Sequence, residues 1–366
     1  MKLHSPSPPL PSHIYWFAYY NPDSPSTRYR GKYLLECLQE QHGQSYSFVY
    51  PGYRPGNILH FIRIFFEALF FRKKCSVIVF QKIYTRRLYG TALRLLLHFQ
   101  RKNSIYDIDD AEYIRFPKGA CLHFMGNCEK VVCGSEALAA KARSLNQEVW
   151  QATSPVIQHR ETKQDRNPVL TLAWIGFFNA HQENLRQLIF PALEKLNHPV
   201  RLLLLGVNRP AQRQELLDYF GQLPQVEVEI PENLNWLDEE SIYRQLARAD
   251  LGLAPLLDNE VNRCKSAFKL KQYLSCGLPV LASPVGENLN FLEEGRNGLL
   301  CQEAEDFLSG IYKFMQMNDP AYWNFSQAAL GSAEGFRMEK VAAQWVKCLS
   351  NTESPVAQVP LAGLPR

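Results

Sequence analysis

The sequence predicts an α/β protein with two doubly wound, Rossmann-like domains. Two series of short apolar strands alternate with amphipathic helical segments, one on each side of the polar, proline-ended stretch ETKQDRNP. Buried strands that alternate with helices form parallel sheets covered on both faces. The length of 366 residues also suits two domains with ordinary cores. We expect a ligand-binding cleft where the strand ends of the two domains face each other.

The first series follows a leader rich in proline and serine. It contains four predicted strands and three predicted helices in alternation. The strands are residues 13–20, 75–81, 104–110 and 130–134, and the helices are residues 30–41, 88–100 and 136–143. These elements make up a basic first domain, residues 1–160.

The second series begins after residues 161–168, which the composition predicts to be an interdomain linker. Its predicted strands are residues 169–176, 200–206, 225–230, 249–256 and 278–282, and its first predicted helices are residues 182–196 and 239–248. A helical stretch, residues 303–350, completes a second domain over residues 169–350. The proline-rich tail, residues 351–366, is expected to be loose.

Cysteine usage and apolar runs indicate the compartment. The nine cysteines form no C-x-x-C pair and are odd in number, which favours neither a zinc site nor a disulfide framework. The stretch MKLHSPSPPLPSH lacks the apolar core of an export signal, and the apolar run ILHFIRIFFEALFF is interrupted by His60, Arg63 and Glu67. We therefore expect a cytoplasmic protein without a transmembrane helix.

Charge is distributed unevenly along the chain. Residues 1–104 contain 15 Lys and Arg against 4 Asp and Glu, whereas the remainder contains 25 against 32. A basic first domain implies an anionic partner: nucleic acid, lipid headgroups or a phosphorylated substrate. The aromatic run FIRIFFEALFFRKK, residues 61–74, favours an anionic membrane surface, and no nucleic-acid motif accompanies it. The alternative is a buried helix whose basic end leads into the next strand.

The segment KSAFKLKQYLSCGLPVLASPVGEN predicts a half-buried helix that begins near Lys265 and ends at Gly277, where a left-handed residue is wanted. Its apolar residues recur with helical spacing, and Lys265 and Lys269 fall on its first turns. Free N–H groups there add partial positive charge to two ammonium groups, an arrangement that suits a diphosphate. A solvated basic helix face fits the same spacing.

Residues 265–300, from KSAFKLKQYL to GRNGLL, resemble the nucleotide-sugar-binding segment of retaining glycosyltransferases of the GT-B fold, the group 1 or family-four class. In that class a donor-site helix is followed by a xCGxPVxAS strand, a VGxN turn and an xxGxNGxL hairpin. Residues 174–188, WIGFFNAHQENLRQL, are similar to the first strand and glycine loop of the donor domain. Residues 25–31, PSTRYRG, and 106–113, YDIDDAEY, resemble first-domain segments of one branch of the class.

This resemblance implies two Rossmann-like domains facing a cleft, with C-terminal helices. It also implies transfer of a hexose-type sugar from a nucleoside diphosphate sugar to a glycan or lipid-linked acceptor, with retention, in surface polysaccharide or glycolipid synthesis. The nucleotide sugar is a co-substrate, and no metal or other cofactor is expected. The expected location is cytoplasmic, on the inner face of the membrane. Two alternatives stay open: a catalytically silent nucleotide-sugar-binding protein, and a GT-B epimerase or phosphorylase.

The resemblance assigns donor-site roles to five residues. Lys265, Lys269 and the N–H groups around Ser266 are expected to bind the diphosphate, Gln272 the ribose, and Gly176 is expected to allow close backbone approach. Each also has a purely structural interpretation.

One departure from the class concerns its two glutamates, eight positions apart. Cys264 and Gln272 stand at those positions here. An amide can still hydrogen-bond ribose hydroxyls, but a thiol cannot replace a carboxylate. A branch of the class with a K-(C/S)-x-F-K-x-x-Q-Y helix resembles this sequence, so the departure is interpreted as a subfamily trait. His181, beside the glycine loop, is the one histidine worth testing.

On the acceptor side, Arg28 and Arg30 follow the first strand and are expected to contact a donor or acceptor phosphate. The DID spacing of Asp107 and Asp109 matches a metal-binding pattern of another glycosyltransferase fold, but no metal is expected here. We instead expect Asp109 and Asp110 to line the cleft, one of them serving as a base toward the acceptor hydroxyl. A solvent-facing loop and a structural cap are the respective alternatives.

Overall fold

The computed structural model describes residues 10–84, 87–117, 119–157 and 159–350, apart from the side chain of Arg87. The chain forms two compact units, each built on one six-stranded parallel sheet. The first unit comprises Met1–Pro155, Cys264–Ser266 and Met338–Arg366, and the second comprises Val156–Arg263 and Ala267–Arg337. The predicted α/β class with two doubly wound domains is confirmed. The predicted loose tail, residues 351–366, lies outside the described residues.

The first sheet has six strands, four of which were predicted. Their bounds are β1 (His13–Ala18), β2 (Ser45–Val49), β3 (Ser76–Gln81), β4 (Ser104–Ile108), β5 (Lys130–Cys133) and β6 (Val149–Gln151). They lie in the order β2-β1-β3-β4-β5-β6, with every pairing parallel. Because β3 and β4 are neighbours, the residues that follow these two strands meet at one edge of the sheet.

In the part of the chain that the structure describes, seven helices precede β7, together with one π-helical turn at Arg28–Lys32. They are α1 (Pro25–Thr27), α2 (Tyr33–His42), α3 (Pro55–Phe70), α4 (Arg87–Phe99), α5 (Glu112–Arg115), α6 (Cys121–Asn127) and α7 (Glu136–Arg143). The predicted helices over 88–100 and 136–143 are confirmed. The predicted helix over 30–41 begins as the π-helical turn and continues as α2.

The second sheet contains all five strands predicted for this part of the chain and one more. Its strands are β7 (Thr171–Ile175), β8 (Val200–Leu205), β9 (Val226–Glu229), β10 (Leu251–Ala254), β11 (Val280–Ala282) and β12 (Gly298–Leu300). They lie in the order β12-β11-β10-β7-β8-β9. The segment that resembles a hairpin is a turn here, since β12 pairs in parallel with β11.

Among the described residues after β7, nine α-helices and a 3₁₀ turn at Glu334–Phe336 belong to the second unit, and one more α-helix returns to the first. They are α8 (Phe178–Leu188), α9 (Phe190–Glu194), α10 (Pro210–Phe220), α11 (Glu239–Ala247), α12 (Glu260–Arg263), α13 (Phe268–Ser275), α14 (Asn288–Phe291), α15 (Ala304–Gln316), α16 (Asp319–Ala333) and finally α17 (Met338–Ser350). The helix predicted over 182–196 is two helices, since a new one begins at Phe190 with Pro191 in its first turn.

The unit boundaries differ from the predicted ones at three places, since the first unit ends at Pro155 and also includes Cys264–Ser266 and α17. Residues 161–168 pack on the second unit, because Lys163 Nζ lies 2.9 Å from Asp250 Oδ1 and the backbone N–H of Asn167 donates to the same carboxylate. Helix α17 packs on the first unit, where the Trp345 ring centroid lies 5.3 Å from that of Trp16. Both segments are held by buried contacts that the composition alone does not indicate.

Helix α13 is shorter and more buried than predicted. Ala267 has a φ of +53°, so the backbone leaves the helical path there and the helix begins at Phe268. Lys265 therefore lies before the helix, in the short segment of the first unit, and only Lys269 lies on its first turn. Every residue from Leu270 to Leu274 is buried, so the predicted half-exposed helix is wrong. Gly277, with a φ of +74°, ends the helix as predicted.

Candidate functional site

In the second unit, the structure brings Gly176 and Lys269 together. Gly176 directly follows β7 and has a φ of +149°, a conformation that disfavours any residue with a Cβ. A Cβ added there would lie 2.4 Å from Cε of Lys269. The Lys269 ammonium also lies 5.6 Å from the centre of the Trp174 ring. The predicted glycine and one predicted lysine thus form one site at the carboxyl end of β7.

A chain of hydrogen bonds holds the position of Lys269. Its Nζ lies 2.9 Å from Nε2 of His181, a residue in the first turns of α8. The other ring nitrogen of His181 lies 3.3 Å from Nδ2 of Asn184. The Asn184 Oδ1 accepts from the backbone N–H of Leu257 at 3.0 Å, which fixes the orientation of the amide. His181 therefore links the lysine to a rigid part of the second unit.

Gln272 lies one turn further along α13 and is 6% exposed. Its partner in the predicted pattern, Cys264, belongs to the first unit and is 2% exposed. The two residues that replace the paired glutamates therefore lie in different units, and both are buried.

The segment Cys264–Ser266 is held on the first unit by three contacts. The hydroxyl of Ser135 donates to the carbonyl oxygen of Cys264 at 2.8 Å, and the Tyr113 hydroxyl lies 3.6 Å from the Cys264 sulfur. The hydroxyls of Ser154 and Ser266 are 3.1 Å apart. Lys265 lies between these anchored residues, so its position is set by the first unit.

At the carboxyl ends of β3 and β4 in the first unit, a buried ammonium group meets three carboxylates. Lys82 directly follows β3, and its Nζ lies 3.1 Å from Asp109 Oδ1 and 3.6 Å from Glu112 Oε1. It also donates to Asp110. The Asp109 side chain is 10% exposed and that of Asp110 is 39% exposed. Asp110 is thus the better placed of the two predicted carboxylates to meet a substrate.

The pKa values of this cluster follow from burial and from Lys82. Burial alone would raise the pKa of Asp110, but the Lys82 ammonium, aided by Lys265, holds it below its ordinary value. Burial raises the pKa of Glu112, and Lys82 opposes that effect only in part. The pKa of Lys82 is raised by its carboxylate neighbours although burial opposes this. At neutral pH the ionised form of Asp110 is therefore stabilised.

The two arginines of the first loop are buried rather than solvent-facing. Arg30 is 1% exposed, its guanidinium donates twice to Asp107, and it donates to the carbonyl oxygen of Ala152 at 2.6 Å. Arg28 is 5% exposed and donates to the carbonyl oxygen of Asp23 at 2.9 Å. The structure thus places Arg30 in a buried ion pair with Asp107. The phosphate contact of Arg28 and Arg30 stays a prediction.

Sequence reasoning missed Lys82 and Glu112. Lys82 directly follows β3, as Asp109 directly follows β4, so both positions mark the carboxyl end of a strand. A contact between them can be predicted only if β3 and β4 are known to be neighbours in the sheet. Among the described residues, no group of three or more His, Cys, Asp or Glu side chains is arranged to hold a metal ion.

Comparison with known proteins finds one family model that matches part of the sequence. Residues 170–317 match the family model of the group 1 glycosyl transferases. Apart from Cys264–Ser266, this match lies within the second unit and covers most of it. The enzyme class that the match gives is glycosyltransferase, as the resemblance implied. No curated protein matches the sequence.

Solved structures support the fold over nearly the whole chain. HepE of Anabaena, solved with UDP-glucose, has a TM-score of 0.63 at 13% identity, covering 93% of this chain and 99% of its own. Sucrose-phosphate synthase of Thermosynechococcus elongatus has a TM-score of 0.64 at 14% identity, with coverages of 91% and 97%. A glycosyltransferase of Rickettsia africae has a TM-score of 0.63 at 10% identity, with coverages of 94% and 100%. The GT-B fold is therefore confirmed.

Proposed function

We propose that this glycosyltransferase moves a hexose-type sugar from a nucleoside diphosphate sugar to a hydroxyl of a glycan or lipid-linked acceptor. The observation that carries the proposal is the Gly176 and Lys269 pair at the carboxyl end of β7. An open backbone next to a positioned ammonium group, at the end of a parallel strand, is where an α/β sheet binds phosphate groups.

Lys269 stabilises the diphosphate as it leaves. Breaking the glycosidic bond places negative charge on the leaving group, and a cation fixed in advance lowers the free energy of that transition state. The contact between Lys269 Nζ and His181 Nε2 at 2.9 Å holds the ammonium group in position. The N–H groups at the start of α8, which follows Gly176 and Phe177, add partial positive charge. UDP is the first nucleotide to test, since HepE was solved with UDP-glucose.

Lys265, Ser266 and Gln272 complete the proposed donor set. Lys265 and Ser266 are the further proposed diphosphate contacts, and Gln272 is proposed to hydrogen-bond the ribose. Retention of configuration is proposed from the resemblance of residues 265–300. No metal or other cofactor is proposed.

Asp110 is the proposed acceptor-side carboxylate. Its side chain is the more exposed of the two predicted carboxylates, and Lys82 keeps it ionised. An ionised carboxylate can accept the hydrogen bond of an acceptor hydroxyl and take its proton as the new bond forms. Asp109 lies against Lys82 and positions the cluster.

The proposed setting is surface polysaccharide or glycolipid synthesis in the cytoplasm, at the inner face of a membrane. The excess of Lys and Arg in residues 1–104 supports an anionic membrane partner. Within the part of the chain that the structure describes, no helix is long and apolar enough to cross a bilayer.

One observation favours a second candidate, a catalytically silent nucleotide-sugar-binding protein. Cys264 stands where the class commonly has a glutamate, and its thiol is buried against Tyr113. An epimerase or phosphorylase of the same fold is the remaining alternative.

The test is a thermal-shift screen against UDP, GDP, ADP, CMP and their sugars, followed by a transfer assay. The responding donor, with its sugar labelled, is incubated with a membrane extract. We expect one nucleotide class to raise the unfolding midpoint, because ligand binds the folded state, and label to enter the lipid or polysaccharide fraction. Binding without transfer would favour the silent protein, and sugar release without an acceptor the epimerase or phosphorylase. No response to any nucleotide would contradict the proposal.

A further inference from the structure

The outer face of α3 carries an exposed apolar stripe. Ile58, Ile62, Phe66 and Phe70 are exposed and follow one another at four-residue intervals, so they lie along one side of the helix. Leu59 and Phe71 widen the stripe, with Phe71 at 76% exposure. The opposite side of α3 buries Ile64, Phe65 and Ala68 in the core of the first unit. The helix therefore has two apolar faces, only one of which is covered within this unit.

Helix α4 extends this surface. Leu88, Leu95 and Phe99 are exposed on α4, Leu88 at 90%. The two helices lie side by side, since the Phe61 ring centroid is 5.1 Å from that of Tyr89 and the Gln100 side chain donates to the carbonyl oxygen of Leu69 at 3.0 Å. We name the exposed apolar side chains of both helices the α3/α4 surface. They are Ile58, Leu59, Ile62, Phe66, Phe70, Phe71, Leu88, Leu95 and Phe99.

Cationic side chains are interleaved with the α3/α4 surface and follow both helices. Residues 54–102 contain eleven Lys and Arg but one acidic residue, Glu67, which accepts from the Tyr15 hydroxyl at 2.9 Å. The exposed cationic residues in this range are Arg54, Arg63, Lys73, Lys74, Arg94, Arg101 and Lys102. Arg72 donates to the carbonyl oxygen of Lys102 at 3.4 Å, so the basic ends of α3 and α4 adjoin each other.

This pattern distinguishes a lipid bilayer from a protein partner. The centre of a protein interface is depleted of charged residues, whereas Arg63 lies within the apolar stripe of α3 and Arg94 lies next to Leu95. Large apolar residues with Lys and Arg beside them are typical of helices that lie in the boundary between headgroups and acyl chains. Helix α3 has 16 residues and contains Arg63 and Glu67, which suits lying on a bilayer rather than crossing it.

We infer that the α3/α4 surface docks on an anionic lipid bilayer, with the apolar side chains in the headgroup boundary and the interleaved Lys and Arg on acidic headgroups. The inference rests on the proposed function, because docking on a membrane would bring the first unit close to a lipid-linked acceptor. It specifies which face of the first unit meets the membrane.

The test is flotation of the full chain with vesicles of phosphatidylcholine, with and without phosphatidylglycerol. We expect the wild type to float with the anionic vesicles only and to be released by high salt. The triple variant Phe66→Ser, Phe70→Ser and Phe71→Ser should partition at least about tenfold less, because three aromatic rings leave the boundary. The pair Lys74→Glu and Lys102→Glu should also lose about tenfold or more, since each cation near an anionic surface contributes about 1 kcal/mol.

Matched controls lie elsewhere on the chain. Leu237→Ser with Leu289→Ser removes apolar side chains of similar exposure, and Lys313→Glu with Lys340→Glu reverses two exposed lysines. Both controls should float like the wild type.

Three results would overturn the inference: no flotation of the wild type, flotation of the triple variant at wild-type strength, or equal binding to vesicles without phosphatidylglycerol. Self-association of a wild type that does not float, lost in the triple variant, would assign the surface to a second copy of the chain. Nucleotide binding is measured on the same samples without vesicles. A protein that floats but binds no nucleotide contradicts the proposed function alone.

Discussion

Each of the two sheets has a lysine near the carboxyl ends of its strands, and the two lysines contact different kinds of side chain. Lys82 in the first unit is buried and contacts the carboxylates of Asp109, Asp110 and Glu112. Lys269 in the second unit is half-buried and contacts an imidazole and an indole. Removing a buried cation from such a cluster leaves its carboxylates buried without a counter-charge, which destabilises the fold. Lys269 also lies beside Gly176 at the carboxyl end of β7, where we propose that it binds an anion, so the same residue type would support structure in one unit and binding in the other.

The largest expected effect is a loss of stability on removal of Lys82, and it tests the structural role of this residue. Lys82→Ala leaves three carboxylates without their cation, two of them buried, so we expect the free energy of unfolding at pH 7 to fall by about 3–5 kcal/mol. Urea unfolding measures it. The exposed pair Lys32 and Glu36, 3.8 Å apart, supplies the control, since Lys32→Ala should cost less than about 1 kcal/mol.

The pH dependence of Lys82→Ala has a definite sign. Lys82 lowers the pKa of Asp110, so this pairing stabilises the wild type above the ordinary carboxylate range and is lost as pH falls through the lowered pKa. Without Lys82 the carboxylates protonate more readily in the folded state. The deficit of the variant should therefore shrink as pH falls from about 5 through the lowered pKa of Asp110. A deficit that stays constant over this range would contradict the ionic account.

Asp110→Asn should act on transfer and leave donor binding unchanged. Removing a general base lowers the rate of the chemical step by about 100-fold or more. The transfer assay measures this rate, and calorimetry measures nucleotide affinity on the same sample. Asp165→Asn, at an exposed position, is the control. Loss of nucleotide affinity in Asp110→Asn would place this residue in the donor site and undo the comparison.

Gly176→Ala sharpens the comparison on the donor side. The new Cβ would meet Lys269 and sit at a φ of +149°, so we expect the lysine to move and nucleotide affinity to fall by about tenfold. In the double variant with Lys269→Ala, the two losses of affinity should add only in part, because part of the effect of Gly176→Ala acts through the Lys269 side chain. Gly331→Ala, where no atom lies within 4 Å of the added Cβ, should bind like the wild type.

The predictable parts of this molecule are those with a strong local signal. The helix over 136–143 was predicted with its observed bounds, since Ser135 caps it and its apolar residues keep helical spacing. Helix α10 was missed because only Leu216 and Phe220 are buried in it. Strand β6 was missed because it has three residues.

The candidate site, too, was predictable only where the local sequence contains a strong signal. Gly176 and Lys269 were both predicted, and the structure places them in contact. The predicted position of Lys265 on the first turns of the helix was wrong, since the left-handed residue Ala267 follows it and the helix begins only at Phe268. Lys82 was missed because its carboxylate partners follow a neighbouring strand, β4. The local sequence does not indicate which strands are neighbours in the sheet.

The most direct test of the central claim is a calorimetric titration of the wild type and Lys269→Ala with the nucleoside diphosphate that stabilises the wild type most. We expect the variant to bind about 10- to 100-fold more weakly, the loss of one charge-assisted contact, with its unfolding midpoint without ligand close to that of the wild type. Lys313→Ala should bind like the wild type. Equal affinities of the wild type and Lys269→Ala would contradict the assignment of the donor diphosphate to Lys269.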